Sequence, residues 1–216
     1  MRTKTIVIFV VIIIIGAGIA AWLILKRGDS GTLKTPDNVP LDSIATTGDK
    51  NTSPVADQPS SENVVANDNF SFQYPAGWRS VPPPQGSSAM VVAQDEKITD
   101  SQALKMNFKS YIAVSYDTSR DGLDQYADTV KTQLRTTFSD ATFLNEKTIL
   151  INGRDAHAME AFLNKSGVDF RVLMVMVRGE EDDVWILSFN TLKSLWDAYA
   201  GIFGDTANEF VVKKPL

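Results

Sequence analysis

Glu180, Glu181, Asp182 and Asp183 stand in succession between two apolar runs, Val172–Val177 and Val184–Phe189. Carboxylate oxygens at that density suit a hard divalent cation such as Ca²⁺ or Mn²⁺. The spacing is not that of a calcium-binding loop, which sets its ligands at alternate positions around a glycine. The competing expectation is a solvated turn whose charges protect a very apolar hairpin from aggregation. His157 is the chain's single histidine and lies between Ala156 and Ala158. An imidazole there could act as a base or a ligand. No serine or cysteine nucleophile motif accompanies it, and Asp155 and Glu160 are only its neighbours in sequence. The expectation is a histidine packed in a sheet. The chain has no cysteine. That excludes disulfides, zinc–thiolate centres, cysteine nucleophiles and a lipidated cysteine anchor. Trp196, Tyr199 and Phe203 recur at helical spacing and read as core, with a ligand pocket between that helix and a sheet as the alternative. No residue is assigned to catalysis, a cofactor or a metal, and the chain is not expected to be an enzyme.

These side chains sit in 216 residues, 44% hydrophobic and 22% charged, with a net charge of -5. That suits one domain of ordinary size with accessory segments. There is no basic surplus to neutralise phosphates, so nucleic acid is not an expected partner.

Thr5–Leu25 is uncharged and apolar, bracketed by Arg2 and Lys4 before it and Lys26 and Arg27 after it. About 20 apolar residues are needed for a helix to cross a bilayer, so this run predicts a transmembrane span and the lipid bilayer as a partner. Trp22 lies near one end, where interfacial tryptophans collect. A cleaved signal peptide is the rival reading, with Gly18-Ile19-Ala20 as its site, but the apolar run continues past it, longer than a signal core. Gly16 and Ala20 could allow close helix packing. The positive-inside rule favours a cytoplasmic amino terminus and an extracytoplasmic remainder. Residues 28–69 are rich in Ser, Thr, Asp, Asn and Pro, with scattered apolar residues and an acidic excess. They read as a disordered tether.

From Phe70 the pattern is globular. Phe70–Tyr74, Met90–Ala93 and the alternation Ile112, Val114, Tyr116 predict strands, with Val81-Pro82-Pro83-Pro84 as a stiff loop. Leu123, Tyr126, Val130, Leu134 and Phe138 then fall at spacings of three and four. They predict an amphipathic helix with Asp121 as N-cap. Phe143–Ile151 and Ala156–Leu163 flank Asn152-Gly153, a hairpin signal, and Asn164–Gly167 predicts a second turn. The two apolar runs that follow imply strands covered on both faces. Leu192–Phe203 supplies a second amphipathic helix, weakened at Gly201 and Gly204. Strands grouped rather than alternating with helices predict an α+β fold, a mainly antiparallel sheet with helices on both faces.

The corner Tyr74-Pro75-x-Gly77-Trp78 resembles the start of the PsbP-like family, named for an extrinsic subunit of photosystem II. The helix from Leu123, the Ile151-Asn152-Gly153 turn with Ala156 and Ala158 after it, the apolar hairpin and the aromatic-rich final helix extend the likeness over nearly all of Phe70 to Val212. The resemblance implies an α/β/α sandwich and a non-enzymatic role in assembling or stabilising membrane complexes. In this reading Trp78 closes the core architecturally. The chain departs from chloroplast members in its hydrophobic anchor and acidic tether. The expectation is a single-pass membrane protein, with an anchor over 1–27, a tether over 28–69 and a PsbP-like domain over 70–216. That domain would be extracytoplasmic and would bind a protein partner. The alternative is a module for a small ligand or a divalent metal.

Overall fold

The computed structural model describes residues 63–213. The span Thr5–Leu25 and the tether up to residue 62 lie outside the described residues. Among the described residues, no helix is long and apolar enough to cross a membrane.

The chain opens with strands β1 (Val64–Ala66), β2 (Phe70–Gln73), β3 (Trp78–Val81) and β4 (Ala89–Ala93). Helix α1 (Ser101–Lys105), strand β5 (Tyr111–Thr118) and helix α2 (Leu123–Thr137) follow. Strands β6 (Thr142–Ile151), β7 (Arg154–Lys165), β8 (Val168–Arg178) and β9 (Asp183–Leu192) form a run of long hairpins. Helix α3 (Trp196–Asn208) and strand β10 (Val211–Val212) close the described chain. The large sheet has the order β3-β4-β5-β9-β8-β7-β6, every neighbouring pair antiparallel. A small antiparallel sheet has the order β1-β2-β10.

Period-two alternation sorts the central strands between two layers. Val172, Met174 and Met176 of β8 and Val184 and Ile186 of β9 join Tyr126, Val130 and Leu134 of α2. The alternate residues Val175, Val177, Leu187 and Phe189 join Phe203 of α3 together with Phe70 and Phe72 of the small sheet. Helices therefore lie on both faces, but α3 shares its face with three strands. The reason is width. Seven strands about 4.8 Å apart span roughly 29 Å, and one helix is about 10 Å across.

Two-residue turns with positive φ build the hairpins. Asn152 and Gly153 have φ of 47° and 76°, and Ser166 and Gly167 have 54° and 81°. Both pairs have the twist that matches antiparallel strands. At the opening corner, Trp78 N–H donates to the Pro75 carbonyl at 3.2 Å. Gly77 occupies the third position of that turn at φ 79°. The corner carries the chain from the small sheet to the edge of the large one.

Three local expectations are corrected. Val64–Ala66, assigned by composition to the tether, is a strand paired with β2. Its three residues are too short for a period to register. Val81, expected to begin the stiff proline loop, is instead the last residue of a strand, Trp78–Val81, paired with β4. The N-cap of α2 is Gly122, with no side-chain cap bond. Asp121 instead presents its carbonyl to Arg178 Nη2 at 2.6 Å.

Candidate functional site

The acidic turn joins β8 to β9. Gly179 N–H donates to the Asp183 carbonyl, and Asp183 N–H to the Glu180 carbonyl, both at 2.8 Å. A Cβ on Gly179 would lie 2.6 Å from Asp183 Cβ, so only glycine fits there. The acids then diverge. Glu180 pairs with Arg154 at 2.6 Å and Asp182 with Arg120 at 3.0 Å. Asp183 accepts from the Tyr116 hydroxyl at 2.7 Å. Each carboxylate ties the turn to a different element: β7, the segment after β5, and β5 itself. Among the described residues, no group of three or more His, Asp or Glu side chains is arranged to hold a metal.

His157 is 4% exposed and points to the α2 side of β7. Its Nδ1 lies 2.8 Å from Asp124 Oδ1 and its Nε2 lies 3.0 Å from Glu146 Oε1. Lys131 Nζ donates to Glu146 at 2.7 and 3.0 Å and pairs with Asp128 at 2.7 Å. Both ring contacts are hydrogen bonds only when both nitrogens carry protons. The cluster clamps α2 to β6 and β7 and brings no nucleophile to the imidazole. Its partners lie 33 and 11 residues away, so the sequence neighbours Asp155 and Glu160 were not the informative carboxylates. Asp124 is at helix position two, and Glu146 lies in the bulge of β6 between Leu144 and Lys147; neither position marks a histidine partner before the fold is known.

A third polar cluster escaped the sequence reading. The Glu96 carboxylate accepts from the Ser110 backbone N–H at 2.8 Å and from the Ser110 hydroxyl. The Ser110 and Thr191 hydroxyls are 2.7 Å apart, and both residues are fully buried. Burial and the charge of Glu96 push the Tyr199 hydroxyl up to about 12. The hydrogen bond to Asp183, then burial, pushes Tyr116 up to about 12 as well. A phenol whose folded pKa lies above its ordinary value near 10 favours the folded state while protonated. That contribution is complete below pH 10 and disappears as pH rises through 12. Ultraviolet titration should therefore show Tyr116 and Tyr199 ionising near pH 12 in the folded protein, with stability falling over the same interval. Ionisation of all five tyrosines near pH 10 without unfolding would contradict these contacts.

The aromatic stripe of α3 is core, as its spacing suggested. Phe203 lies 5.3 to 6.1 Å, centroid to centroid, from Phe189, Tyr199, Trp78 and Trp196. Beside this stripe α3 leaves a cleft of about 510 Å³ against β6, β7 and β8. Ala158, Leu173 and Val175 form its floor, and Ala200, Gly204 and Ala207 its helical wall. Glu160 and Trp196 also line it, and both contact Arg171, which pairs with Glu160 at 2.5 Å and lies 4.2 Å from the Trp196 ring centroid. Asn145 Nδ2 donates to the other Glu160 oxygen at 3.0 Å.

No protein-family model matches the chain, and no curated protein sequence matches it. Solved structures do. Cyanobacterial PsbP (CyanoP) from Synechocystis superposes with a TM-score of 0.53 at 15% identity, over 74% of this chain and 99% of that one. LpqN of Mycobacterium tuberculosis, a protein involved in cell envelope biogenesis, superposes with a TM-score of 0.51 at 13% identity, over 72% of this chain and 87% of that one. At such identity the likeness bears on the fold. The antiparallel sheet between helical layers, reached through the Tyr74–Trp78 corner, is a PsbP-like fold.

Proposed function

We propose that the chain is a non-enzymatic module that binds a protein partner at a membrane surface. In this reading Thr5–Leu25 is the anchor, the following residues are a tether, and the domain is extracytoplasmic. The observation that carries the partner is the outer face of the small sheet. Val64 is 44% exposed and Val211 is 41% exposed. They flank Gln73 and Ser71 in register and border a shallow depression of about 400 Å³. An apolar surface with a polar rim is the form that partner sites take. The residues preceding β1 join the domain beside Val64, so a tether would deliver this face toward the bilayer. The ionisable clusters support a non-catalytic role, because His157, the acidic turn and Glu160 are each engaged by neighbouring side chains. The LpqN-like fold is compatible with a place in a cell envelope.

The reading is tested by Val64→Lys with Val211→Lys in the full chain. Both sites are exposed, so the melting temperature should fall by no more than roughly 2–4 °C, the equivalent of about 1 kcal/mol. Partner capture from solubilised membranes should drop tenfold or more. Undiminished capture by the folded double variant would remove this face from the account. The cleft beside α3 favours a second reading, a ligand-binding module.

A further inference from the structure

We propose that His157 is a proton-operated latch on α2: the doubly protonated ring holds the first turn of the helix to β6 and β7, and the neutral ring releases it. This goes beyond the partner-binding role and rests on different residues.

The geometry admits one charge state in which both ring contacts are made. Nδ1 faces Asp124 Oδ1 at 2.8 Å and Nε2 faces Glu146 Oε1 at 3.0 Å. A carboxylate only accepts, so a neutral imidazole satisfies one of the two and turns a lone pair on the other. The ring is 4% exposed, and a polar group buried to that degree loses more with its partner than an exposed one does. The surroundings add to the loss. Asp124 reaches the ring from α2 and Glu146 from β6. Lys131 of α2 joins Glu146 to Asp128. Opposite His157 in register, β6 places Thr148 and β8 places Met176, neither charged. On β7 itself, Asp155 stands two residues away on the same face. With a neutral ring, Lys131 is the one cation among these four carboxylates.

The contact that opens is the one to Asp124. Glu146 is fixed by Lys131 Nζ at 2.7 and 3.0 Å. The Asp124 side chain is 80% exposed, and its other partner among the described residues is the Thr148 hydroxyl at 3.5 Å. The remaining proton of the neutral ring therefore belongs on Nε2. Asp124 is the second residue of α2, whose N-cap, Gly122, makes no side-chain bond. The helix then begins on the Tyr126 N–H to Gly122 carbonyl bond at 2.9 Å. The Tyr126 hydroxyl donates to Asp117 at 2.8 Å, so the release is confined to the first turn.

The chain's single histidine makes the test direct. The full chain in detergent micelles, isotopically labelled only at the histidine ring nitrogens, is followed by NMR from about pH 5 to about pH 8, the interval in which imidazoles exchange their proton. Amide exchange at the start of α2 is read in parallel by mass spectrometry and corrected for the intrinsic effect of pH. The ring should pass from the doubly protonated form to the Nε2–H tautomer. Exchange of the Tyr126 amide should rise about tenfold with the same midpoint, the effect of one lost hydrogen bond. Asp124→Ala should exchange fast at both ends of the interval. Asp124→Asn, whose amide also donates to a bare nitrogen, should protect the turn at both ends. A ring in one state throughout, a neutral Nδ1–H tautomer, or exchange that does not follow the ring would overturn the proposal. So would pH-dependent exchange that persists in Asp124→Ala.

Discussion

Trp78→Ala should lower the stability of the protein by about 3–5 kcal/mol, the usual cost of truncating a buried aromatic to alanine. Trp78 is 7% exposed. Its ring meets Tyr199 at 5.6 Å and 90°, and Phe203 at 6.1 Å and 79°, both edge-on and both from α3. It is also the first residue of an edge strand of four residues whose one partner in the large sheet is β4. Truncation therefore opens a cavity and loosens α3 from the sheet edge together. A domain of this size has perhaps 5–15 kcal/mol in total. At about 2–4 °C per kcal/mol, the melting temperature should fall by roughly 6–20 °C. Trp78→Phe, which keeps a ring in the site, should lose much less. A denaturation midpoint unchanged by Trp78→Ala would mean that the indole is a recognition group, as tryptophans at interfaces often are.

Arg171→Met is expected to cost about 2–3 kcal/mol, and Glu160→Met a similar amount. The side chains are 20% and 15% exposed, and Arg171 also stacks on Trp196. Removing the guanidinium leaves a largely buried carboxylate with only the Asn145 amide. Desolvation of that orphaned charge, rather than loss of the attraction itself, makes the single change costly. The double variant Glu160→Met with Arg171→Met leaves no buried charge and should recover most of the loss. Urea midpoints for the two singles and the double form the cycle that measures this. A double variant whose loss equals the sum of the singles would show that the pair acts independently and that the orphan-charge explanation is wrong.

The long elements were legible because each one buries a periodic stripe. Tyr126, Val130 and Leu134, each four apart, are buried with Ala127 and set α2 on the sheet. The Asn152-Gly153 pair and the unbroken apolar runs of β8 and β9 likewise signal their roles locally. The short elements were not legible. β1 and β10 have three and two residues, and they are strands only because β2 lies between them. α1 has five residues, held by the Asp100 carboxylate accepting from the Gln102 and Ala103 amides at 2.9 and 2.8 Å. The stripe is core, as expected, and the alternative of a pocket between that helix and the sheet has a counterpart only in the cleft beside it. Its opening depends on Gly204 and Ala200, which in sequence look only like weak helix positions. The side-chain clusters are long-range products of topology. Nothing near His157 in sequence points to Asp124 and Glu146, and nothing near Glu96 points to Ser110 and Thr191.

Site-specific photo-crosslinking in native membranes tests the central claim most directly, that the small sheet presents the partner face. A photoreactive residue is placed in the full chain at position 64, 211 or 104. Leu104 is 53% exposed and belongs to α1, in the opposite layer. The account predicts one discrete adduct of the same mass from positions 64 and 211, lost when the other valine is changed to lysine, and no such adduct from position 104. Absence of an adduct at both 64 and 211, or the same adducts from all three positions, would contradict it.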